Sequence, residues 1–518
     1  MAIKWLGGKV DHPMSDARQA RQLIDELPTN DPAKALEEIT HWLDTINQTE
    51  AFKLNQRFDN IDLLDGAARS HWKKLAQDYL AMPRQLKFQE NRLWNANHGL
   101  WRQLGDGYLR CIRQYEDGLN AMTIIRKSLP VIVARATRAL TSQLKWQMLR
   151  YGPVEPRIWS ELAQVYAIAE ERGFADSDIT IYSGALGASR VRREFLTAMM
   201  FSASSPEGLP PLRQEIAERT AAHFASSFQI STRPDGCTYC VDLAAPGPAT
   251  RLLEAMEPRA TLRYFGAGRG LADLNQLIGT ILEQGTVSEG VNLGGDYDKD
   301  DMIGTLRHLA QHWSEQPPVR SSERRQVAGR ITVVPGLRDI LRALDPSDDD
   351  TLDFSLSQAA GSGESWIVED VSDGGYGALI PTVRSDWIKV GTLVGVQNEA
   401  SQHWGIGLIR RIVRDAQQQR HVGIQLLTPN AIPARISMSQ TLSFTGADSD
   451  AQRAILLSAV PDGSGEVAVV MRSSLFSGRE SLDMTVRDKS FQLTPVGLVE
   501  SSEDFAWVKF KAREQAEG

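Results

Sequence analysis

Four arginines, Arg320, Arg324, Arg325 and Arg330, crowd into one short stretch of a chain whose formal net charge is -8. A guanidinium grips phosphate bidentately and stacks on a flat base, so such a cluster suits an anionic, planar ligand. No lysine lies between Trp313 and Arg330, a selectivity that solubility alone would not require. Downstream, Asp370, Ser372 and Gly375 form the pattern Asp-x-Ser-x-x-Gly. Their carboxylate and hydroxyl can read the edge of a base, on a turn that Gly374 and Gly375 keep open. The two pieces together have the chemistry of a nucleotide-binding site.

The elements that must position these residues can be read on either side of them. The arginines begin in SEQPPVRSSER, whose proline, serine and charge mark a linker. Before it, residues 30–175 read as one helix after another, with Leu36, Ile39, Leu43 and Ile46 on a single face and Asp31 and Pro32 as N-cap and first helical residue. Tryptophans 42, 72, 94, 101, 146 and 159 are expected as core anchors between packed helices. Residues 176–316 mix short strands, SSFQIS, CTYCVDL and ATLRYFG, with helical runs at 212–224 and 271–283. After the linker, RITVVPG, SWIVEDV, GALIPTV, TLVGVQNE, WGIGLIRRIVRD and HVGIQLL are strand-like, the last two joined as a hairpin by a glutamine-rich turn. A helical LRDILRAL and the acidic DPSDDD interrupt this series, and a β-rich segment follows from 432, ending in AREQAEG, expected to be frayed.

Composition sets the class. With 518 residues and 42% hydrophobic content the chain can bury several cores, which predicts a multidomain protein. An acidic balance argues against an extended nucleic-acid surface, whereas a small anion needs only a local cluster. Three cysteines make no disulfide framework, the start lacks the apolar core of a signal peptide, and the longest apolar run, Leu129 to Ala134, is far short of a membrane span. The expectation is a cytoplasmic protein without direct membrane insertion.

The segment 318–430 resembles a PilZ domain, the small β-barrel receptor for the bacterial second messenger cyclic di-GMP. The resemblance rests on Arg320-x-x-x-Arg324 before the first strand, on Asp370-x-Ser372-x-x-Gly375, and on the later strands WGIGLIRRI and HVGIQLL in the same order. It implies that the arginine element wraps phosphates and guanine bases while the second motif meets a guanine edge. Two departures stand out: RQVAGR separates Arg324 from ITVV, so that Arg325 and Arg330 compete for the second arginine's place, and the gap to Asp370 is lengthened. Arg410 and Arg414 repeat the arginine spacing in another place.

Other motifs fall short of chemistry. Gly294, Gly295, Asp296 and Tyr297 resemble the opening of a diguanylate cyclase signature without the residues that should follow. Asp296, Asp298 and Asp300 have calcium-loop spacing, but Asp301 and Arg307 stand where glycine and glutamate are needed. His308 and His312 lack a zinc peptidase's glutamate, and Cys237 and Cys240 lack a second cysteine pair. No metal, cofactor or catalytic nucleophile is nominated.

The expected architecture is multidomain α+β: a helical domain (1–175), an α+β region (176–316), a PilZ-like antiparallel β-barrel (317–431) and a C-terminal β-rich domain (432–518). The expected function is a non-enzymatic cyclic di-GMP effector in which Arg320, Arg324, Arg325, Arg330, Asp370, Ser372 and Gly375 hold the ligand. Binding would reorient the N-terminal half to control a protein partner. The alternative is a PilZ-like interaction scaffold without nucleotide, acting in motility or surface-appendage assembly.

Overall fold

Asp16 caps α1 (Ala17–Asp25) by accepting from the backbone of Arg18 and Gln19, and Asp31 caps α2 (Pro32–Gln48) by accepting from Lys34. Pro32 sits in the first turn, where its missing N–H costs nothing. The computed structural model describes residues 10–83, 86–118, 123–182, 188–253, 257–286, 291, 293–295, 297–319, 323–345, 363–381, 387–399, 401–438, 451–458 and 465–515. The chain divides into two compact units, Met1–Pro318 and Val319–Gly518.

In the first unit, α1 and α2 are followed by α3 (Leu54–Ala81), α4 (Lys87–Gly118), α5 (Thr123–Met148) and α6 (Pro156–Glu171). Leu36, Ile39, Leu43 and Ile46 are all fully buried, so the helical period read in the sequence is the packed face of α2. Trp101, Trp146 and Trp159 are buried in the same core, with Trp42, Trp72 and Trp94 packed against it, as anchors between helices. A short pair, β1 (Ile179–Thr180) and β2 (Ala188–Ser189), leads into α7 (Val191–Ala203) and α8 (Pro211–Phe224). Strands β3 (Gln229–Ser231), β4 (Tyr239–Asp242), β5 (Thr250–Arg251) and β6 (Leu262–Gly266) form a sheet in the order β3-β6-β4-β5. Helices α9 (Gly270–Gln284) and α10 (Lys299–His312) complete the unit, and one hydrophobic core runs from Met14 to Trp313.

The second unit consists of two closed barrels. The first joins β7 (Arg325–Pro335), β8 (Glu364–Ser372), β9 (Gly375–Ile380), β10 (Leu393–Asn398), β11 (Gly405–Arg414) and β12 (Arg420–Thr428) in the order β10-β11-β12-β9-β8-β7. The second joins β13 (Ile432–Met438), β14 (Gln452–Leu456), β15 (Glu466–Met471), β16 (Leu482–Val486), β17 (Lys489–Ser501) and β18 (Ala506–Glu514), in the order β13-β14-β15-β18-β17-β16. Closure leaves neither barrel an open edge. It also corrects the expected frayed tail: Ala512, Arg513 and Glu514 pair with Leu493, Gln492 and Phe491, and Lys489 Nζ lies 2.7 Å from the Glu514 carboxylate. Residues 516–518 lie outside the described residues.

Helix α11 (Gly336–Leu344), the helical interruption read in the sequence, lies between the barrels. Leu337, Ile340 and Leu341 share one buried cluster with Leu393, Ile406 and Leu408 of the first barrel and Ile455, Val470 and Phe505 of the second. Both ends of α11 are held by the second barrel. Asp504 Oδ2 accepts from the Leu337 N–H at 2.7 Å, and Arg453 Nη2 donates to the Leu341 carbonyl at 2.5 Å and the Asp345 carbonyl at 3.1 Å. An acid at the N-terminus and a cation at the C-terminus both oppose the helix dipole.

Candidate ligand-binding site

Strand β8 carries Asp370 and Ser372, and their direction is set by a bulge. Trp366 and Val368 are buried, so strict alternation would also turn Asp370 into the barrel. The pairing skips a residue: Val368 faces Ala378, but Asp370 faces Gly377, leaving Glu369 as the extra residue. A classic bulge puts both of its residues on one side, so Glu369 and Asp370 turn outward together. Ser372, two residues on, shares that face and pairs with Gly375 across the two-residue turn Asp373 and Gly374.

The registers assemble a row around the outer face. Asp370 pairs with Gly377, Gly377 with Gly423, and Gly423 with Arg411. In the next row, Ser372 pairs with Gly375 and Gly375 with Gln425. Three glycines thus leave a floor bare of side chains between Asp370 and Ser372 on one side and Arg411 on the other. Two of them are required by space. A Cβ on Gly375, whose φ is +147°, would lie 1.9 Å from the Ile424 carbonyl oxygen, and one on Gly377 would lie 2.5 Å from Asp370 Oδ1.

Arg324 stands at the edge of this floor, its Nη1 2.8 Å from Asp370 Oδ2, with both side chains partly exposed. The other carboxylate oxygen, Oδ1, is buried and has no hydrogen-bond partner. Asp370 therefore holds an acceptor aimed over Gly377 with no donor.

The remaining arginines are distributed differently from the expectation. Arg325 and Arg330 belong to β7 and not to a linker, because RQVAGR is strand. Arg324 consequently lies directly before the first strand, which removes one of the two departures noted above. Arg325 pairs with Val371 and by alternation faces away from the Arg324 side. Arg330, paired with Ile367, is one outer row from Asp370, but its Nη1 donates to Ser365 Oγ at 3.2 Å, on the far side. Arg320 lies outside the described residues. The lengthened gap is placed too: α11 follows Pro335, at the opposite end of β7 from Arg324, roughly 30 Å along an extended strand. The helical part of the insertion thus starts at the end of β7 remote from Asp370; residues 346–362 lie outside the described residues.

Arg410, part of the repeated arginine spacing, is committed elsewhere. It is the extra residue of a bulge in β11 and clamps Glu500 bidentately at 2.8 and 2.7 Å, tying the first barrel to the second. Sequence reasoning missed Gly377, Gly423 and Arg411, whose alignment only register reveals. It also missed His421, which bridges Glu369 at 2.9 Å and Asp415 at 3.1 Å one outer row away. Burial alone would lower the His421 pKa, but the hydrogen bonds to Glu369 and Asp415 outweigh it and raise it above the ordinary histidine value.

The weaker motifs prove structural. Asp298 caps α10 by accepting from Asp300, and Asp296 lies outside the described residues. The rings of His308 and His312 lie tilted against each other with centroids 4.5 Å apart, and His308 Nε2 meets the Ser204 carbonyl. Cys240 packs in a small cluster with Leu262 and Tyr264, and Cys237 lies against it, both as free thiols. Among the described residues, no group of three or more His, Cys, Asp or Glu side chains could hold a metal ion, and no helix is long and apolar enough to cross a membrane.

Comparison with known families adds to this geometry. Residues 18–235 match the family model described as cyclic-di-GMP receptor FimW, N-terminal domain, and residues 358–433 match cyclic-di-GMP receptor FimW, middle PilZ domain. The second match covers β8 to β12 and with them Asp370, Ser372 and Gly375. No curated protein matches the chain. Two successive domains of one receptor, matched in order, together with the closed barrel, identify this chain as a multidomain protein of the PilZ family of cyclic di-GMP receptors.

Proposed function

We propose that cyclic di-GMP binds on the glycine floor of the first barrel, with one guanine edge at Asp370 and Ser372. The observation that carries this reading is the Asp370 carboxylate, one oxygen on Arg324 and the other buried without a donor. Guanine offers N–H donors on its pairing edge and acceptors at O6 and N7. Asp370 suits the former and Arg324 the latter. In the free protein the two satisfy each other in part, and the ligand exchanges that contact for two of its own. Gly375 and Gly377 let the base approach the backbone. Arg320 and Arg330 are assigned to the phosphates and base stacking, Arg330 after leaving Ser365, and Arg325 joins them by turning round the exposed start of β7.

Arg324 follows shortly after Pro318, where the two units divide. A ligand held by arginines in this segment ties it to the barrel, and we assign to that contact the control of a protein partner through the helical and α+β regions. In the four-part division, residues 1–175 and 176–316 form the output half, 317–431 the sensor and 432–518 a barrel that braces it. Catalysis has no part in this reading, and the place of action is the cytoplasm, where the messenger is made. The receptor family displaces the scaffold alternative.

Isothermal titration of the full chain with cyclic di-GMP tests the assignment. Saturable binding is expected in the wild type, with Arg324→Ala weakening it by about tenfold or more, the worth of a charge-assisted hydrogen bond. Unchanged affinity in a folded Arg324→Ala protein would place the ligand elsewhere.

A further inference from the structure

A second cavity lies within the first unit, where the ends of α5, α6, α7 and α10 meet the β4–β5 connection. Its volume, about 690 Å³, is within the ordinary range for small-molecule sites. Leu144, Met148, Trp159 and Phe201 supply an apolar floor, and Pro246, Pro248, Pro317 and Pro318 supply walls. Prolines fix their own backbone, so these walls are formed before any ligand arrives.

Four further lining residues describe what would enter. Arg251 lines the cavity, and its Nη1 donates to the Pro317 carbonyl at 3.1 Å. Among the described residues it forms no ion pair, so its charge faces the cavity against a neutral partner. His312 adds no second cation: burial, aided by the neighbouring His308, brings its pKa down to about 4. Glu207, the acid among the lining residues, is engaged in an interaction of its own. Ser205, also lining the cavity, is a non-glycine residue held at φ +49°, the kind of strain that collects at ligand sites.

We propose that this cavity is a second ligand site, separate from the barrel, that takes a small organic carboxylate with a flat apolar body. The body lies on the Trp159 floor and the carboxylate takes Arg251 from the Pro317 carbonyl. A neutral ligand of the same shape fills the floor equally but leaves the guanidinium's charge uncompensated, and discrimination between the two is the signature of the site.

The test is a fluorine NMR titration of the full chain with a fluorinated biphenyl carboxylate and, separately, its carboxamide. The wild type is expected to bind the carboxylate saturably and about tenfold tighter than the carboxamide, the increment of one charge-assisted contact. Arg251→Gln should abolish that preference while leaving carboxamide binding unchanged. Ser202→Trp, which places an indole from a half-exposed lining position into the cavity, should weaken both probes. Circular dichroism confirms that each variant is folded. Absence of saturable binding in the wild type, equal affinity for the two probes, or carboxylate binding that survives both substitutions overturns the proposal.

Discussion

Asp370 Oδ1 is the most exacting atom of the barrel surface, because it is buried without a donor while its twin oxygen is paired with Arg324. An unsatisfied buried acceptor costs about 1–3 kcal/mol, which a ligand N–H would recover. Asp370→Asn therefore has opposite expected effects on binding and on stability. Affinity for cyclic di-GMP should fall about tenfold, as the charge on the acceptor is lost. The thermal midpoint should hold or rise, since a neutral amide is cheaper to leave half satisfied. Parallel titration and thermal melts read the two effects. A large fall in midpoint with unchanged affinity would show a purely structural carboxylate. His421 yields a pH prediction at the same scale. Its pKa is raised in the folded state by Glu369 and Asp415, so its contribution is fully present below the ordinary histidine pKa of about 6.5 and is lost as pH rises through the higher folded value. Urea melts of wild type and His421→Ala should differ most near pH 6 and converge at alkaline pH. A difference that grows with pH would contradict the assignment.

At the scale of elements, two bulges and one helix decide what the barrel can do. The extra Glu369 turns Asp370 outward, and the extra Arg410 points a guanidinium at Glu500. Helix α11 owes its end contacts to the second barrel: Asp504 at its start and Arg453 at its end. Gly336, at φ +72°, supplies the turn that brings the chain from β7 into this helix. Asp504→Ala should cost about 1 kcal/mol, the ordinary worth of an N-cap, even though Asp504 is remote in sequence from the helix it caps. Because α11 packs on both barrels, the loss should appear as a single cooperative shift in the urea midpoint. Early, separate melting of the second barrel would show that the barrels are energetically independent. The same contacts hold α11, which looks in the sequence like a disturbance of the ligand motif, at the end of β7 remote from Asp370.

For the whole molecule, the proposed effector mechanism requires ligand occupancy and the relation of the units to be linked, because Arg324 follows shortly after the division between them. A donor and acceptor fluorophore pair, one on an exposed position of each unit, is expected to show a narrower distance distribution when cyclic di-GMP is added. The Arg324→Ala protein should show no such change. An unaltered distribution in a wild-type protein that binds ligand would separate the sensing event from any reorientation and refute the effector mechanism proposed here. The second barrel, joined to the first through α11 and the Arg410–Glu500 pair, is expected to move with it as one body.

Much of this protein was legible in local patterns. The α2 face from Leu36 to Ile46, the Asp31 cap, the strand series from Arg330 onward and the β11–β12 hairpin all follow from short-range periodicity and turn chemistry, which act within a few residues. The receptor motif was legible for the same reason, since Asp370, Ser372 and Gly375 sit on one hairpin. What only the tertiary structure decided is everything that depends on register between distant strands. The extension of β7 back to Arg325, the outward turn of Asp370 at Glu369, and the row from Asp370 through Gly377 and Gly423 to Arg411 are set by which residue faces which across the sheet. A shift of one position exchanges the two faces of a strand without altering its composition. For the same reason the arginine cluster suggested an anionic ligand from its side-chain chemistry alone, whereas the placement of Arg324, Arg325, Arg330 and Arg410 on different segments and faces waited for the fold.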